Sequence, residues 1–353
     1  MHIMHKIFIT GGAGYVGQML VEQFSKRPDV EKIITLDKEP MPEFYNTFQN
    51  KAKVEYLHAN TNDHIWAGRV KDFAPDIVIH TAWQIREIYG NRPLSWAWNI
   101  DGSNKVFDFV FDNSSVKRFV CFSTVASYGA FSENTLEYRY KETDKFRKTN
   151  YLYAEEKRIM EEELEKKYAE AVSKGKNLPV ISIVRPAAIT GPRGRVDRIR
   201  FGLQSALSGS LKGGIYSVIS YLTKLVPVTP KWLRQYIHED DVNDIVEMLS
   251  FDSRVNHKYE VYNICPPGPC VLGADMAKAV GKKPILVPPQ LIRFVFFWFW
   301  HLTRGKIPTS EGSWKGYSYP IAVDGAKISN MYNYVYKYEP LRAFVENVGR
   351  YSK

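Results

Sequence analysis

The chain predicts an α/β protein: a doubly wound parallel sheet with helices on both faces, followed by a smaller C-terminal lobe. Three observations predict it. Short apolar strand runs alternate with helical patterns through the first half. Those runs are almost unbroken by polar residues, as expected of strands covered on both faces. A glycine triplet stands directly between the first strand and the first helix.

The elements follow in order. KIFIT (6–10) is the first strand, and a helix runs from about Gly14 to Lys26. KIITLD (32–37) and VEYLH (54–58) read as the next two strands. DIVIHTA (76–82) and KRFVCFST (117–124) follow, with a helix over 94–112 between them. A long charged helix, about Tyr151 to Ser173, precedes the strand VISIVRP (180–186). Right-handed crossovers connect such strands.

After Pro186 the regularity fades, and Gly and Pro punctuate GPRGR, SGSLKGG and CPPGPC. A helix over 240–250 and a strand over 259–264 restore it. The expected division is therefore a dinucleotide-binding unit of residues 1–185, rejoined by 236–265. Residues 186–235 and 266–353 form the substrate lobe.

The 353 residues are 44% hydrophobic and 24% charged, which suits a soluble globular protein. No signal peptide is apparent at MHIMHKIFIT. Cys121, Cys265 and Cys270 form no CxxC pair, so no metal is expected and a reduced, cytoplasmic setting is. The formal net charge of +10 suits anionic partners. No helix-turn-helix or zinc-finger pattern points to nucleic acid. LIRFVFFWFWHL (291–302) is interrupted by Arg293 and His301 and falls far short of the ~20 residues that span a bilayer. It reads as a helix packed in the core or at a subunit contact. The other reading is an apolar lid or a weak membrane-surface anchor.

In TGGAGYVG (10–17), Gly11, Gly14 and Gly17 are spaced GxxGxxG. The first allows a tight turn, the second a close approach of backbone to a pyrophosphate, the third close helix–strand packing. Tyr15, Val16 and Gly17 open the helix, whose N–H groups and dipole favour phosphate. Asp37 ends the second strand, where a carboxylate can accept hydrogen bonds from both ribose hydroxyls. It repels a 2′-phosphate, so NAD is expected rather than NADP, with Lys38 slightly weakening the preference.

Tyr153 and Lys157 stand four apart and share a helix face. Of the 22 tyrosines, only Tyr153 has lysine four residues later. A nearby ammonium lowers a phenol's pKa from its usual value of about 10. Tyr153 can then exchange a proton with a substrate alcohol or ketone while a hydride moves to or from nicotinamide. Tyr151 has Glu155 at that spacing, so it packs or lines the site. FSTVASYG (122–129) follows a strand end, where ligands bind. Ser123 and Thr124 are both available to hold the substrate oxygen.

With these motifs assembled, the chain resembles the extended short-chain dehydrogenase/reductases, the NAD-dependent epimerase/dehydratase family, with a Rossmann-type fold. The elements occur in the family's order: TGGAGYVG, Asp37, NTND (60–63), IHTAW (79–83), NIDGSNKV (99–106), KRFVCFSTVASYG (117–129), Tyr153 with Lys157, RPAAITGPR (185–193), QYIHEDDV (235–242) and YNIC (262–265). The resemblance implies a Thr124–Tyr153–Lys157 triad, since the hydroxyl lies four residues before Tyr128-Gly129. Tyr153 is the implied acid/base. Lys157 is implied to lower its pKa and hold the nicotinamide ribose. Asn62 and Asp63 match the adenine contact, and His80, Thr81 and Ala82 match the loop over the cofactor phosphates. Asn99 and Pro186 complete the implied cofactor contacts, Asn99 reading otherwise as a helix cap. A homodimer through helices 94–112 and 151–173 is also implied.

Departures narrow the reaction. Sugar-nucleotide 4,6-dehydratases carry Thr-Asp-Glu where this chain has Thr124, Val125 and Ala126, which argues against that dehydration. Ala188 replaces an asparagine common in nucleotide-sugar epimerases, and Trp83 replaces a usual alanine. Arg193, Arg195, Arg198 and Arg200 form either an anion-binding or a solvated basic loop. The expected activity is NAD-dependent hydride transfer at a secondary alcohol or ketone of an anionic or partly apolar small molecule. The alternatives are a nucleotide-sugar epimerase with tightly held NAD and a non-catalytic NAD-binding scaffold.

Overall fold

Seven parallel strands form the spine of the molecule, a computed structural model that describes residues 4–194, 225–346 and 348–352. In chain order the first half comprises β1 (His5–Thr10), α1 (Tyr15–Ser25), β2 (Val30–Asp37), β3 (Val54–His58), α2 (Ile65–Phe73) and β4 (Ile77–His80). Then come α3 (Arg92–Trp96), α4 (Gly102–Asp112), β5 (Arg118–Phe122), α5 (Leu152–Ser173) and β6 (Val180–Pro186). The second half adds β7 (Ala188–Thr190), β8 (Leu225–Val228), β9 (Leu233–Arg234), β10 (Tyr236–His238), α6 (Glu239–Phe251) and β11 (Tyr259–Ile264). It closes with β12 (Val271–Leu272), α7 (Gly273–Ala279), β13 (Lys283–Leu286), α8 (Pro289–Leu302) and two short helices. The sheet order is β11-β6-β5-β4-β1-β2-β3, the doubly wound arrangement in which β1 lies inside the sheet between β4 and β2.

Alternation along β1 explains the three layers. Ile7 and Ile9 face one side, where Val21 and Phe24 of α1 and Val242 and Ile245 of α6 cover them. Phe8 faces the other side, packed with Trp66 of α2, Phe107 of α4 and Leu164 of α5. The Phe8 and Trp66 rings stack with centroids 5.4 Å apart. Burying one such side chain contributes about 1.5–3 kcal/mol. A third core, built on Val226, Trp232, Tyr236, Met276 and Phe344, lies among β8, β10, α7 and the C-terminal segment. Two-stranded pairings β7–β10, β9–β12 and β8–β13 organise this part of the chain.

Two expectations need correction. The helix expected over 94–112 is present, running unbroken from 92 to 112, but it is not α-helical throughout: a π-helical turn, Ala97–Asp101, lies between α3 and α4. Such single turns insert an extra residue and reorient a side chain, here Asn99. The segment 291–302 is helical, but it is not packed in the core. Only Ile292 and Trp300 of α8 are buried, because one narrow face of the helix meets the protein. No helix among the described residues is long and apolar enough to cross a membrane.

Candidate active site

The carboxyl ends of the central strands open on one cleft of about 530 Å³. Its wall includes Gly11, Gly14, Tyr15, Val16 and Gly17, then Asp37, Thr81, Ala82, Trp83 and Asn99. Ser123, Thr124, Tyr153, Lys157 and Pro186 line it as well. The parallel sheet thus gathers, in one place, residues spread over much of the sequence.

The glycine turn has steric causes. Gly11 has φ +86°, and a Cβ there would lie 2.5 Å from Thr81 Oγ1 and 2.7 Å from the Ala82 nitrogen. A Cβ on Gly17 would collide with the Gly11 carbonyl oxygen. The first turn of α1 can therefore sit directly on the β1 end, with Tyr15, Val16 and Gly17 on the cleft. Asp37 accepts a 2.9 Å hydrogen bond from the Ala13 N–H through Oδ2, and Oδ1 accepts from Glu39 N–H. Burial raises the Asp37 pKa, while those two backbone N–H groups work against it. This cradle fits a dinucleotide: backbone N–H groups for a pyrophosphate and a rim carboxylate for a ribose.

At the other end of the same cleft, α5 presents the tyrosine and the lysine. Thr124 caps the turn after β5 by accepting from Ala126 N–H at 3.2 Å. Its hydroxyl and the Tyr153 phenol line the same cleft wall, near enough for the hydroxyl to act on the phenol's ionisation. Burial pushes the Tyr153 pKa above its usual value, and the Thr124 hydroxyl pulls it partly back. The sequence expectation that Lys157 lowers it does not describe this geometry. The Lys157 ammonium donates to the Phe122 carbonyl at 2.5 Å and lies 3.7 Å from the Trp83 ring centroid. Burial lowers the Lys157 pKa to about 8.

The choice between the two hydroxyls is made by what lies behind them. Ser123 donates to the buried Glu161 carboxylate. Glu161 pairs with Arg185 at 2.6 Å, and Arg185 reaches the Tyr128 hydroxyl at 2.7 Å. Burial alone would lower the Arg185 pKa, but Glu161 outweighs it and holds the guanidinium protonated. Ser123 therefore ties the strand end to an interior ion pair, whereas Thr124 makes no such inward bond among those of the described residues.

Several other predicted residues are engaged within the protein. His80 is buried beneath the cleft between Thr10 Oγ1 at 2.7 Å and Ser103 Oγ at 2.9 Å. Burial, with Lys157 adding to it, lowers its pKa to about 3, so it is neutral. Asp63 caps its own turn through Asn60 N–H at 2.7 Å. The Asn62 carbonyl accepts from Lys105, and Asn60 and Thr61 form the cleft wall instead. Asn99 is no helix cap; its Nδ2 donates to Glu156 Oε2 at 2.7 Å, and its Oδ1 accepts from Gln84 N–H at 2.7 Å. Arg193 pairs with Glu22 at 2.6 Å and lies over the Phe44 and Tyr351 rings, away from the cleft wall. Arg195, Arg198 and Arg200 lie outside the described residues.

Sequence reasoning missed Arg234. It lines the cleft beside Gln235 and Lys315, with its guanidinium 4.8 Å from the Tyr317 ring centroid. Among the described residues no carboxylate pairs with it. Its signal was its place immediately before QYIHEDDV.

The family model for the NAD dependent epimerase/dehydratase family matches residues 7–265. The chain belongs to that family. NAD is accordingly the cofactor. No curated protein sequence matches significantly. Among solved structures, the chain is similar to the Bordetella bronchiseptica enzyme WbmG in complex with NAD and UDP. That match has 18% identity and a TM-score of 0.68, covering 97% of this chain and 93% of the other. The Thermus thermophilus UDP-glucose 4-epimerase in complex with NAD gives 20% identity and a TM-score of 0.64, with 96% and 97% coverage. The Bacillus anthracis dTDP-glucose 4,6-dehydratase in complex with NAD gives 17% and 0.63, with 97% and 95% coverage. At these identities the likeness is one of fold.

Proposed function

We propose that this family member transfers a hydride between NAD and a secondary alcohol or ketone carbon, with Tyr153 as general acid/base. The convergence of Thr124, Tyr153 and Lys157 on the cleft that also holds the glycine turn carries this reading. Bound NAD supplies the hydride acceptor and, when oxidised, a positive ring beside the phenol. Thr124 orients the substrate oxygen through its hydroxyl, on the same cleft wall as Tyr153. Tyr153 takes the alcohol proton, or returns it to a ketone. Lys157, held by the Phe122 carbonyl and Trp83, keeps a cation on the wall and is placed to receive a ribose hydroxyl. Val125 and Ala126 carry no group that can move a proton, which supports a reaction without water elimination.

The substrate reading is a small molecule with an anionic group. Arg234 supports it, because a half-buried cation on the cleft wall, with no carboxylate partner among the described residues, is stabilised by a bound anion. The same observation favours the second reading, a nucleotide-sugar epimerase that keeps its NAD. The two are separated by the cofactor balance. NAD that survives purification, with no net NADH during turnover, supports epimerisation. Exchangeable NAD with stoichiometric NADH supports a dehydrogenase. A clear preference for NADP would overturn the role given to Asp37.

A further inference from the structure

Helix α8 has two faces. Ile292 and Trp300, both buried, and the half-buried Phe296 lie one turn apart along the inner face. That side is pinned. Trp300 packs edge-on against Tyr89 with ring centroids 5.3 Å apart, and Thr309 Oγ1 donates to the Phe296 carbonyl at 3.0 Å. The Phe296 ring lies 5.2 Å from that of Tyr317, which in turn lies against Arg234 of the cleft.

The outer face is apolar and uncovered. Leu291, Phe294, Trp298 and Leu302 recur at the three- and four-residue spacing of one helix side. They are 44%, 61%, 47% and 74% exposed, and Phe297 beside them is 55% exposed. A contiguous patch of large apolar side chains marks an interaction surface.

The charge of the chain segment that carries α8 says what kind. From Met276 to Ser310 the chain has no aspartate or glutamate. It carries Lys282, Lys283, Arg293, Arg304 and Lys306 there, besides Lys278, which pairs with Asp275 at 3.8 Å. A second copy docking by a two-fold axis would bring these cations against themselves. An anionic lipid surface neutralises them and takes up the aromatic stripe at once. The helix is 14 residues long, or about 21 Å, too short to cross a hydrocarbon core but suited to lying in its interface.

We propose that α8 docks the protein on an anionic membrane surface, with Leu291, Phe294, Trp298 and Leu302 inserted at the headgroup boundary and the flanking lysines and arginines over the lipid phosphates.

The test is co-sedimentation of the full chain with vesicles of phosphatidylcholine alone or mixed with phosphatidylglycerol. Binding is expected only to the phosphatidylglycerol vesicles, weakening as salt rises. The double variant F294S/W298S should bind about tenfold or more weakly, because two buried aromatic side chains are lost. Its thermal midpoint and NAD affinity should match those of the parent, since neither side chain touches the core or the cleft. Failure to bind anionic vesicles at low salt overturns the proposal, as does unchanged binding by the folded variant. A concentration-dependent dimer abolished by the same two substitutions would instead assign the face to a second copy, and would also overturn it.

Discussion

The Lys157 ammonium sits 3.7 Å from the centroid of the Trp83 indole, with the Phe122 carbonyl as its hydrogen-bond acceptor. Trp83 thus does more than pack: it faces a buried cation at the centre of the candidate site. A desolvated cation–π contact is worth about 2 kcal/mol or more. Trp83→Ala should lower kcat/KM about tenfold or more, and Trp83→Phe, which keeps an aromatic face, should restore part of it. Steady-state kinetics of the two variants check this. Equal activity of the Ala and Phe variants would show that the ring's charge interaction is irrelevant.

The same lysine makes stability depend on pH. Its folded pKa is lowered to about 8, below that of an unfolded lysine. Between those values the unfolded chain binds a proton that the folded chain does not. This group's destabilisation is therefore complete at pH 7 and is relieved as pH rises from about 8 toward about 10.4. Lys157→Met removes the buried charge and should stabilise the unliganded protein at pH 7 by about 1–3 kcal/mol, while abolishing turnover. Thermal midpoints at pH 7 and near pH 10 should show the gain shrinking at the higher value.

Glu161 and Arg185 form an ion pair buried on both sides. Removing one partner strands the other charge. Arg185→Ala should cost about 3–5 kcal/mol in denaturant unfolding. Ser123→Ala removes only a hydroxyl donor to Glu161 and should leave turnover within about threefold of the parent. Thr124→Val should lower it by about a hundredfold or more, since it removes the hydroxyl beside Tyr153. Reversed effects at 123 and 124 would exchange their roles.

The glycine turn offers a graded test. Gly17→Ala places a methyl against the Gly11 carbonyl, whereas Gly14→Ala meets the same oxygen at 3.1 Å. Gly17→Ala should weaken NAD binding by about a hundredfold or more, and Gly14→Ala by much less. Calorimetric titration with NAD distinguishes them.

Much of this was legible in the sequence, because the signals were local. β1, β2, β4, β5 and β6 were visible as apolar runs, and the glycine turn and the 153/157 spacing placed two ends of one cleft. Helix α2 was not singled out, since IWAGRVKDF is short and has Gly68 within it. The π turn at Ala97–Asp101 has no periodic signal. The small pairings β7–β10, β9–β12 and β8–β13 join two- to four-residue strands far apart in the chain, so no local pattern encodes them. Glu161 was readable: it stands four residues after Lys157 on the face that carries Tyr153. Its pairing with Arg185 on β6, 24 residues away in the chain, was not. His80 was read as a cofactor contact because IHTAW matches the family's phosphate loop, but strand alternation turns its ring inward, toward Thr10 and Ser103.

The role of Tyr153 is tested most directly by Tyr153→Phe, assayed for NAD-linked conversion of a secondary alcohol or nucleotide sugar that the parent turns over. Losing the phenol proton should lower kcat by about a hundredfold or more while the NAD dissociation constant stays within about twofold. Unchanged turnover by the folded, NAD-binding variant would contradict the account.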